Sequence, residues 1–285
     1  MKILLTGSAG FTGHHFAVSA QAAGHAVLPL QADLTDKAAV AAEVRHAAPA
    51  AVVHLAAISF VGHADDSDFY RVNVIGTMNL LAALAALPHP PAKVLLASSA
   101  NIYGNCDASP ITEDQPPAPV NHYAASKLAM EHMARTWSER LPIVITRPFN
   151  YTGAGQGGQF LIPKLVDHFA RKAPRIELGN LHVQREFNDV RMVCNAYMAL
   201  LNHGQAGQAY NVCTGQTYTL QNVLDLLKAI TGHTLDVQVN PAFVRANEVH
   251  RLCGNPAKLQ ACVGPTSPIA LADTLRAMLA AQPSA

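Results

Sequence analysis

The 285-residue sequence lacks an excess of either charge, with 20 lysines and arginines against 19 aspartates and glutamates. A balanced surface gives no electrostatic footprint for nucleic acid or for an anionic membrane, so neither is expected as a partner. Long apolar runs are also missing, because the longest region, 74–87, is interrupted by Gly76, Thr77 and Asn79. Such a region is too broken to cross a bilayer, and we predict no membrane segment.

Paired cysteines and clustered metal ligands are absent too. The five cysteines show neither C-x-x-C spacing nor a regular interval, which predicts reduced thiols of a cytoplasmic protein. The apolar start at residues 1–5 is too short for a signal peptide and leads directly into a glycine turn, in line with that location. The fourteen histidines are scattered, without H-E-x-x-H or a close His/Cys cluster, so no metal site is predicted.

What the sequence does contain is a strand, a glycine turn and a helix at its very start. Residues 2–6 predict a strand, a G-x-x-G-x-x-G turn follows, and 14–23 predicts a helix. This is the context that a dinucleotide-binding fingerprint requires. Gly7 would allow the tight turn, Gly10 would admit a pyrophosphate to the backbone, and Gly13 would let the helix lie close to the strand.

The end of the second predicted strand, 25–30, does not choose between NAD and NADP. An acid at this place binds the adenosine ribose hydroxyls of NAD, and an arginine accommodates the 2′-phosphate of NADP. The sequence has LQA at 30–32, followed at once by Asp33 and Leu34. Both cofactors therefore stay open.

Predicted strands and helices alternate as far as residue 150, which indicates an α/β fold built on a doubly wound parallel sheet. The further elements in this part are strands at 51–55, 93–98 and 141–147 and helices at 38–47 and 70–86.

After residue 150 the alternation loosens. A glycine-rich loop at 150–159 would shape a substrate mouth. We expect a dinucleotide-binding Rossmann domain over 1–150 and a smaller substrate-binding lobe over 151–285. Within the lobe, about 185–213 is expected to return to the first domain.

The best candidate for chemistry is the pair Tyr123 and Lys127, four residues apart on one face of a predicted helix. A phenol has a pKa near about 10, and an ammonium one turn away favours the phenolate. Ser99 ends the predicted strand 93–98, and ligands of open parallel sheets gather at such ends. The serine would hydrogen-bond a substrate oxygen while the tyrosine exchanges a proton with it. Alone, Tyr-x-x-x-Lys spacing is common by chance, so this interpretation depends on the surrounding motifs.

Those motifs, in their order, resemble the extended short-chain dehydrogenase/reductase family, which acts on nucleotide-linked sugars. They are TGSAGFTG at 6–13, HLAA at 54–57, NVIGT at 73–77, SSANIYG at 98–104, YAASK at 123–127 and RPFN at 147–150. The second half is most similar to the family's GDP-4-dehydro-6-deoxy-D-mannose reductases, which make GDP-D-rhamnose. The carrying sequences there are RPFNYTGAGQ at 147–156, GNLHVQREFNDV at 179–190 and AYNVCTGQ at 209–216.

The resemblance implies roles for individual residues. Tyr123 would be the general acid, Lys127 would also hold the nicotinamide ribose, and Ser99 would orient the sugar carbonyl. Besides Tyr123 and Lys127, the implied cofactor contacts are Gly7, Gly10, Phe11, Thr12, Gly13, Asp33, Leu34, Leu55, Ala56, Ala57 and Asn73. The implied substrate contacts are Ser59, Asn101, Asn150, Arg185 and Arg245. A homodimer is implied by the family as well.

Together these features predict an NAD(P)H-dependent reductase of the C4 carbonyl of a nucleotide-linked 4-keto-6-deoxy sugar. Asn101 stands where the family's 4,6-dehydratases need a carboxylate, and an amide cannot act as that base, so dehydration is disfavoured. The alternative is a 4-epimerase that keeps NAD bound and consumes none. A dinucleotide-sensing regulator ranks last, because it would have no need of Ser99, Tyr123 and Lys127.

Overall fold

The computed structural model describes residues 1–241 and 250–282. In chain order its strands are β1 (Lys2–Thr6), β2 (Ala26–Pro29), β3 (Ala51–His54), β4 (Lys93–Ala97), β5 (Ile143–Pro148), β6 (Tyr151–Thr152), β7 (Arg175–Leu178), β8 (Gln184–Arg185), β9 (Asn188–Asp189), β10 (Ala209–Val212), β11 (Tyr218–Thr219), β12 (Asp236–Val239) and β13 (Arg251–Leu252). Its α-helices are α1 (Phe11–Ala22), α2 (Lys37–Ala47), α3 (Asp66–Tyr70), α4 (Thr77–Ala85), α5 (His122–Arg135), α6 (Leu161–Ala170), α7 (Val190–His203), α8 (Leu220–Thr231), α9 (Ala257–Val263) and α10 (Leu271–Ala280).

The main sheet runs in the order β10-β5-β4-β3-β1-β2, and every neighbouring pair in it is parallel. The chain starts in the interior of the sheet at β1, builds β2 on one side and then crosses to β3 on the other. The predicted doubly wound parallel sheet is thus confirmed. The strand order reverses between β1 and β3, and the crevice outside the strand ends at such a point is where ligands of this fold bind.

Helices cover both faces of the sheet because its strands are apolar on both sides. Ile3 and Leu5 of β1 face a core that includes Phe16 of α1 and residues of α7 and α9. Leu4, between them, faces the opposite core with residues of α2, α4 and α5. Alternation along one strand therefore binds two helical layers. Each fully buried leucine or phenylalanine contributes about 1.5–3 kcal/mol.

A separate core holds the lobe that follows the main strands. It is made by α6, α8 and α10 with the β7–β12 pair, and Phe187 between β8 and β9 reaches into it. Part of the later chain lies elsewhere, because β10 is in the main sheet and α7 packs on α1. The expected division into two domains stays a prediction.

The predicted helix 70–86 is interrupted. A π-helical turn at Arg71–Gly76 separates α3 from α4. At Gly76 an added Cβ would come within 2.8 Å of the Leu34 side chain, so the chain passes close to the loop after β2. The π-turn carries Asn73, which the site uses. Across the described ranges, we find no helix long and apolar enough to cross a membrane.

Candidate active site

The glycine turn brings backbone against backbone. Gly7 has a φ of 69°, and an added Cβ there would lie 2.7 Å from the Ala56 nitrogen. A Cβ on Gly13 would lie 2.0 Å from the Gly7 carbonyl oxygen. Helix α1 begins at Phe11 without a side-chain cap, so the first N–H groups of the helix are left for a ligand. A cradle of this kind fits a pyrophosphate.

Behind this turn, a directed chain of hydrogen bonds crosses from β1 to the start of α4. The Thr6 hydroxyl accepts from the backbone nitrogens of Leu55 and Ala56 and lies 2.7 Å from His54 Nδ1. His54 Nε2 lies 2.8 Å from the Thr77 hydroxyl, which gives its own proton to the Asn73 carbonyl. Nε2 must therefore carry the imidazole proton, and Nδ1 must accept from Thr6. Burial lowers the pKa of His54 to about 3, helped by the nearby Lys127 charge, so the ring is neutral.

Asn73 links the segment that follows β3 to helix α5, which carries Tyr123 and Lys127. Its Oδ1 accepts from the Ile58 nitrogen at 3.0 Å, and its Nδ2 donates to the Ile58 carbonyl and to Ser126 Oγ. Ser126 in turn donates to the Tyr123 carbonyl at 2.8 Å. The π-turn thus fixes both the segment after β3 and the first turn of α5, a use of π-helical geometry that is frequent at functional sites.

The predicted catalytic side chains meet in one place. Helix α5 starts after Asn121, whose side chain accepts from the Ala124 nitrogen and caps the helix. Tyr123 is 8% exposed, Lys127 4% and Ser99 7%. All three residues line the same cleft, and Lys127 Nζ donates to the Ala97 carbonyl at 2.8 Å.

The pKa of Tyr123 does not follow the simple expectation that a neighbouring lysine lowers the pKa of a tyrosine. Burial raises the pKa of Tyr123, and the hydrogen bond from Ser99 only partly opposes this. Burial also lowers the pKa of Lys127 to about 8, although Glu131 one turn further on raises it in part. Desolvation outweighs the ion-pair effect here. The phenol is therefore fully protonated at neutral pH, which is the state of a proton donor.

A buried ion pair supports α5 from behind. Arg147 Nε and Nη2 donate to the two carboxylate oxygens of Glu131 at 3.0 and 2.7 Å. Arg147 Nη1 also donates to the Tyr103 hydroxyl and to the Glu113 carbonyl. A bidentate pair with these extra partners joins the catalytic helix to β5 and to the turn after β4.

One cleft of about 320 Å³ lies between the glycine turn and this helix. Most of the predicted site residues line it. These are Gly7, Gly10, Phe11, Thr12, Gly13, Leu55, Ala56, Ala57, Ser59, Ser99, Asn101, Tyr123, Lys127 and Asn150.

Four of the other predicted residues lie outside the cleft. Asp33 is exposed and accepts from the Thr35 backbone and hydroxyl, Leu34 is buried against Gly76, and Asn73 stands behind the wall. Arg185 is half-buried in β8 of the lobe. Arg245 falls outside the described residues.

Among the lining residues that sequence reasoning missed, Tyr151 and Ser98 carry hydroxyl groups. The Tyr151 hydroxyl lies 2.8 Å from Thr12 Oγ1, and its ring stacks on Phe11 at 6.2 Å between centroids. Burial raises the pKa of Tyr151 to about 12. Ser98 Oγ is buried in the cleft wall and has no hydrogen-bond partner within the described part of the chain. The available signal was that Tyr151 follows the RPFN motif directly and Ser98 is the first residue of the SSANIYG motif.

Two relatives of known activity match this sequence over nearly its whole length. The chain is 36% identical to the GDP-6-deoxy-D-talose 4-dehydrogenase of Aggregatibacter actinomycetemcomitans, covering 93% of this chain and 92% of that protein. It is also 36% identical to the GDP-6-deoxy-D-mannose reductase of Pseudomonas aeruginosa, covering 98% of this chain and 96% of that one.

A solved structure agrees in fold. The structure of RMD from Pseudomonas aeruginosa complexed with NADPH superposes with a TM-score of 0.91, at 35% identity and 98% coverage of both chains. A family model described as GDP-mannose 4,6 dehydratase matches residues 20–278. The chain therefore belongs to the GDP-mannose 4,6-dehydratase family of extended short-chain dehydrogenases/reductases.

Proposed function

We propose that the protein is an NAD(P)H-dependent reductase of a nucleotide-linked 4-keto-6-deoxy sugar. The substrate that fits best is GDP-4-dehydro-6-deoxy-D-mannose, and the product would be GDP-D-rhamnose. The carrying observation is that Ser99, Tyr123 and Lys127 meet in a cleft whose opposite wall is a glycine turn suited to a pyrophosphate. Relatives named for GDP-linked 6-deoxy sugars support the substrate class.

The reduced nicotinamide, when bound, supplies a hydride to the C4 carbon of the sugar. The chain's own residues do the rest. Gly7, Gly10 and Gly13 leave room for the pyrophosphate at the start of α1, and Leu55, Ala56 and Ala57 form an apolar wall. Lys127 lies deep enough in the cleft to hold ribose hydroxyls with its ammonium protons.

Tyr123 gives its phenolic proton to the C4 oxygen as that oxygen gains charge. Burial raises the pKa of this phenol, so the donor is fully loaded at neutral pH. The Ser99 hydroxyl favours the developing phenolate. An ammonium at Lys127, one helical turn away, would favour it as well. General acid catalysis of this type contributes about 10² to 10⁴ in rate, and fixing the two reactants together contributes more.

The position two residues after the serine favours reduction over dehydration. Asn101 lines the cleft, and its backbone N–H donates to Ser99 Oγ at 3.2 Å. An amide side chain cannot take the C5 proton that dehydration requires. Asn101, together with Ser59 and Asn150, is better placed to hydrogen-bond sugar hydroxyls.

Arg185 and Arg245 are the residues we propose for the diphosphate of the substrate, because a guanidinium matches phosphate oxygens in a fork. A homodimer and a cytoplasmic location complete the proposal. The homodimer comes from the likeness to the family, and the location comes from the cysteine pattern of the sequence.

The test is to mix purified protein, reduced cofactor and GDP-4-dehydro-6-deoxy-D-mannose and to follow nicotinamide absorbance, with product identification. Cofactor consumption with formation of a GDP-6-deoxyhexose is expected. Interconversion of two sugars without net consumption would instead establish the epimerase alternative. No turnover with either cofactor defeats the assignment.

The role of the phenol has its own test. Tyr123→Phe should abolish turnover while dinucleotide binding, measured by calorimetry, stays within about threefold, because only the proton donor is lost. Tyr210→Phe is the matched control, since this tyrosine lies on β10, does not line the cleft, and accepts from the Gln205 nitrogen. Full activity in Tyr123→Phe would refute the proton-transfer role.

A further inference from the structure

We infer that the site selects NADH over NADPH, because the turn after β2 holds the carboxylate of Glu43 and contains no cation of its own. This inference rests on the cofactor-binding part of the proposed function. It makes Glu43 a specificity-determining residue. It also sets the chain apart from the Pseudomonas aeruginosa relative, which was solved with NADPH.

The turn after β2 stands beside the pyrophosphate cradle. The register of the two parallel strands pairs Leu5 with Pro29, and the Leu30 nitrogen donates to the Leu5 carbonyl. Continuing this register two residues past the end of β2 would bring Gln31 level with Gly7, the first glycine of the turn. In this fold the residue at the end of the second strand faces the adenosine ribose, so its charge decides whether a 2′-phosphate is accepted.

The local sequence has no acid at the end of β2, but folding places a carboxylate from α2 there. Glu43, from the middle of α2, accepts from the Gln31 nitrogen with Oε1 and from the Ala32 nitrogen with Oε2, both at 2.8 Å. Two hydrogen bonds fix the carboxylate on the turn. They also occupy the two N–H groups that a phosphate would otherwise use.

The charges next to Glu43 also favour NADH over NADPH. Asp33 is exposed, and hydrogen bonds from the backbone and hydroxyl of Thr35 lower its pKa, so it is ionised at neutral pH. Asp36 adds a third carboxylate at the start of α2. Residues 30–36 and the glycine turn at 7–13 contain no lysine or arginine.

Two cations stand at the edge of this region. Arg71 is near enough to contribute to the lowered pKa of Asp33, but its guanidinium is paired with Asp68 at 2.5 Å. Lys37 is exposed on the first turn of α2, directly after Asp36 and outside the turn itself. Neither lies in the turn that faces the ribose.

The two dinucleotides therefore meet different environments. A 2′-hydroxyl can donate a hydrogen bond to a carboxylate. A 2′-phosphate carries about −1.5 to −2 charges at pH 7 and would approach carboxylates without a cation to pair with. Repulsion between partly exposed charges is reduced by salt, so the discrimination should depend on ionic strength.

The experiment measures the dissociation constants of NADH and NADPH by calorimetry, without sugar substrate. NADH should bind about tenfold or more tightly than NADPH at about 20 mM salt, and the ratio should shrink at about 500 mM as the charges are screened. Equal affinities, or tighter NADPH binding, would overturn the inference and leave the proposed reductase standing. Binding of neither dinucleotide would overturn both.

Two variants locate the effect. Gln31→Arg adds a guanidinium to an exposed position with Glu43 unchanged, and it should lower the NADPH dissociation constant about tenfold or more while changing that of NADH little. Glu43→Gln should shrink the preference for NADH. Glu139→Gln, at an exposed acid beyond α5, is the matched control and should leave the ratio unchanged. A Glu43→Gln protein with the wild-type ratio would remove Glu43 from the explanation and contradict the inference.

Discussion

The neutral imidazole of His54 makes a definite prediction about acid stability. The ring is buried between two threonine hydroxyls, and its pKa is lowered from about 6.5 to about 3, mainly by burial. In the unfolded chain the same ring takes up a proton near pH 6.5. Between these two values the unfolded state binds more protons, so the folded state loses stability as the pH falls.

The magnitude follows from the width of that window. Each pKa unit corresponds to 1.36 kcal/mol, so a shift of about 3.5 units is worth about 5 kcal/mol when the whole window has been crossed. Between pH 7 and pH 5 the loss from this single group is about 2 kcal/mol, because most of the unfolded-state titration has then occurred. That is a large share of an ordinary folding free energy.

Urea unfolding of wild type and His54→Gln at pH 7 and pH 5 measures the effect. The glutamine amide can still donate to the Thr77 hydroxyl, so the variant should fold, although with lower stability at pH 7. Its loss of unfolding free energy between the two pH values should be about 2 kcal/mol smaller than that of wild type. His89→Gln, at an exposed loop position, is the control and should behave as wild type. Equal pH dependence in His54→Gln and wild type would refute the neutral-histidine argument.

Three further outcomes are expected. Gly13→Ala should reduce both the melting temperature and dinucleotide affinity, since its methyl group would lie 2.0 Å from the Gly7 carbonyl oxygen; an unchanged melting temperature would argue against that contact. In wild type, kcat/KM should fall above about pH 8 as Lys127 loses its proton, and a profile flat to pH 10 would contradict a role for the ammonium. Glu131→Gln should cost about 3–5 kcal/mol in urea unfolding, because it leaves the Arg147 charge buried without its partner; a cost below about 1 kcal/mol would contradict this.

The parts of the fold that local sequence dictates were predictable. Helix α8 (Leu220–Thr231) has both of its boundary signals in the local sequence, because Thr219 caps its start and Gly232 takes a φ of 69° after its end. Most of the residues that line the cleft could be predicted as well, because they lie in or near sequence motifs of four to eight residues.

Features set by contacts between distant segments were not predictable. The two-residue strands β8, β11 and β13 exist only because β8 pairs with β11 on one side and with β13 on the other. The π-turn in the expected helix 70–86 depends on Asn73 bonding the chain after β3. The sequence alone does not predict that Glu43 binds the turn after β2, because its two partners lie eleven and twelve residues away along the chain.

The buried polar network explains why so many polar residues are kept under this cleft. Thr6, His54 and Thr77 hold the backbone of the cofactor wall, and Asn73 connects that wall to Ser126 beneath the proton donor. In the hydrogen-bond series from Thr6 through His54 to Thr77, each group donates to the next. The loss of one member therefore leaves a buried donor or acceptor unpaired, which costs about 1–3 kcal/mol. The wall that receives the cofactor and the helix that carries the phenol are therefore positioned by the same set of hydrogen bonds. A substitution at Thr77 that leaves the cleft surface untouched should still weaken dinucleotide binding and turnover together.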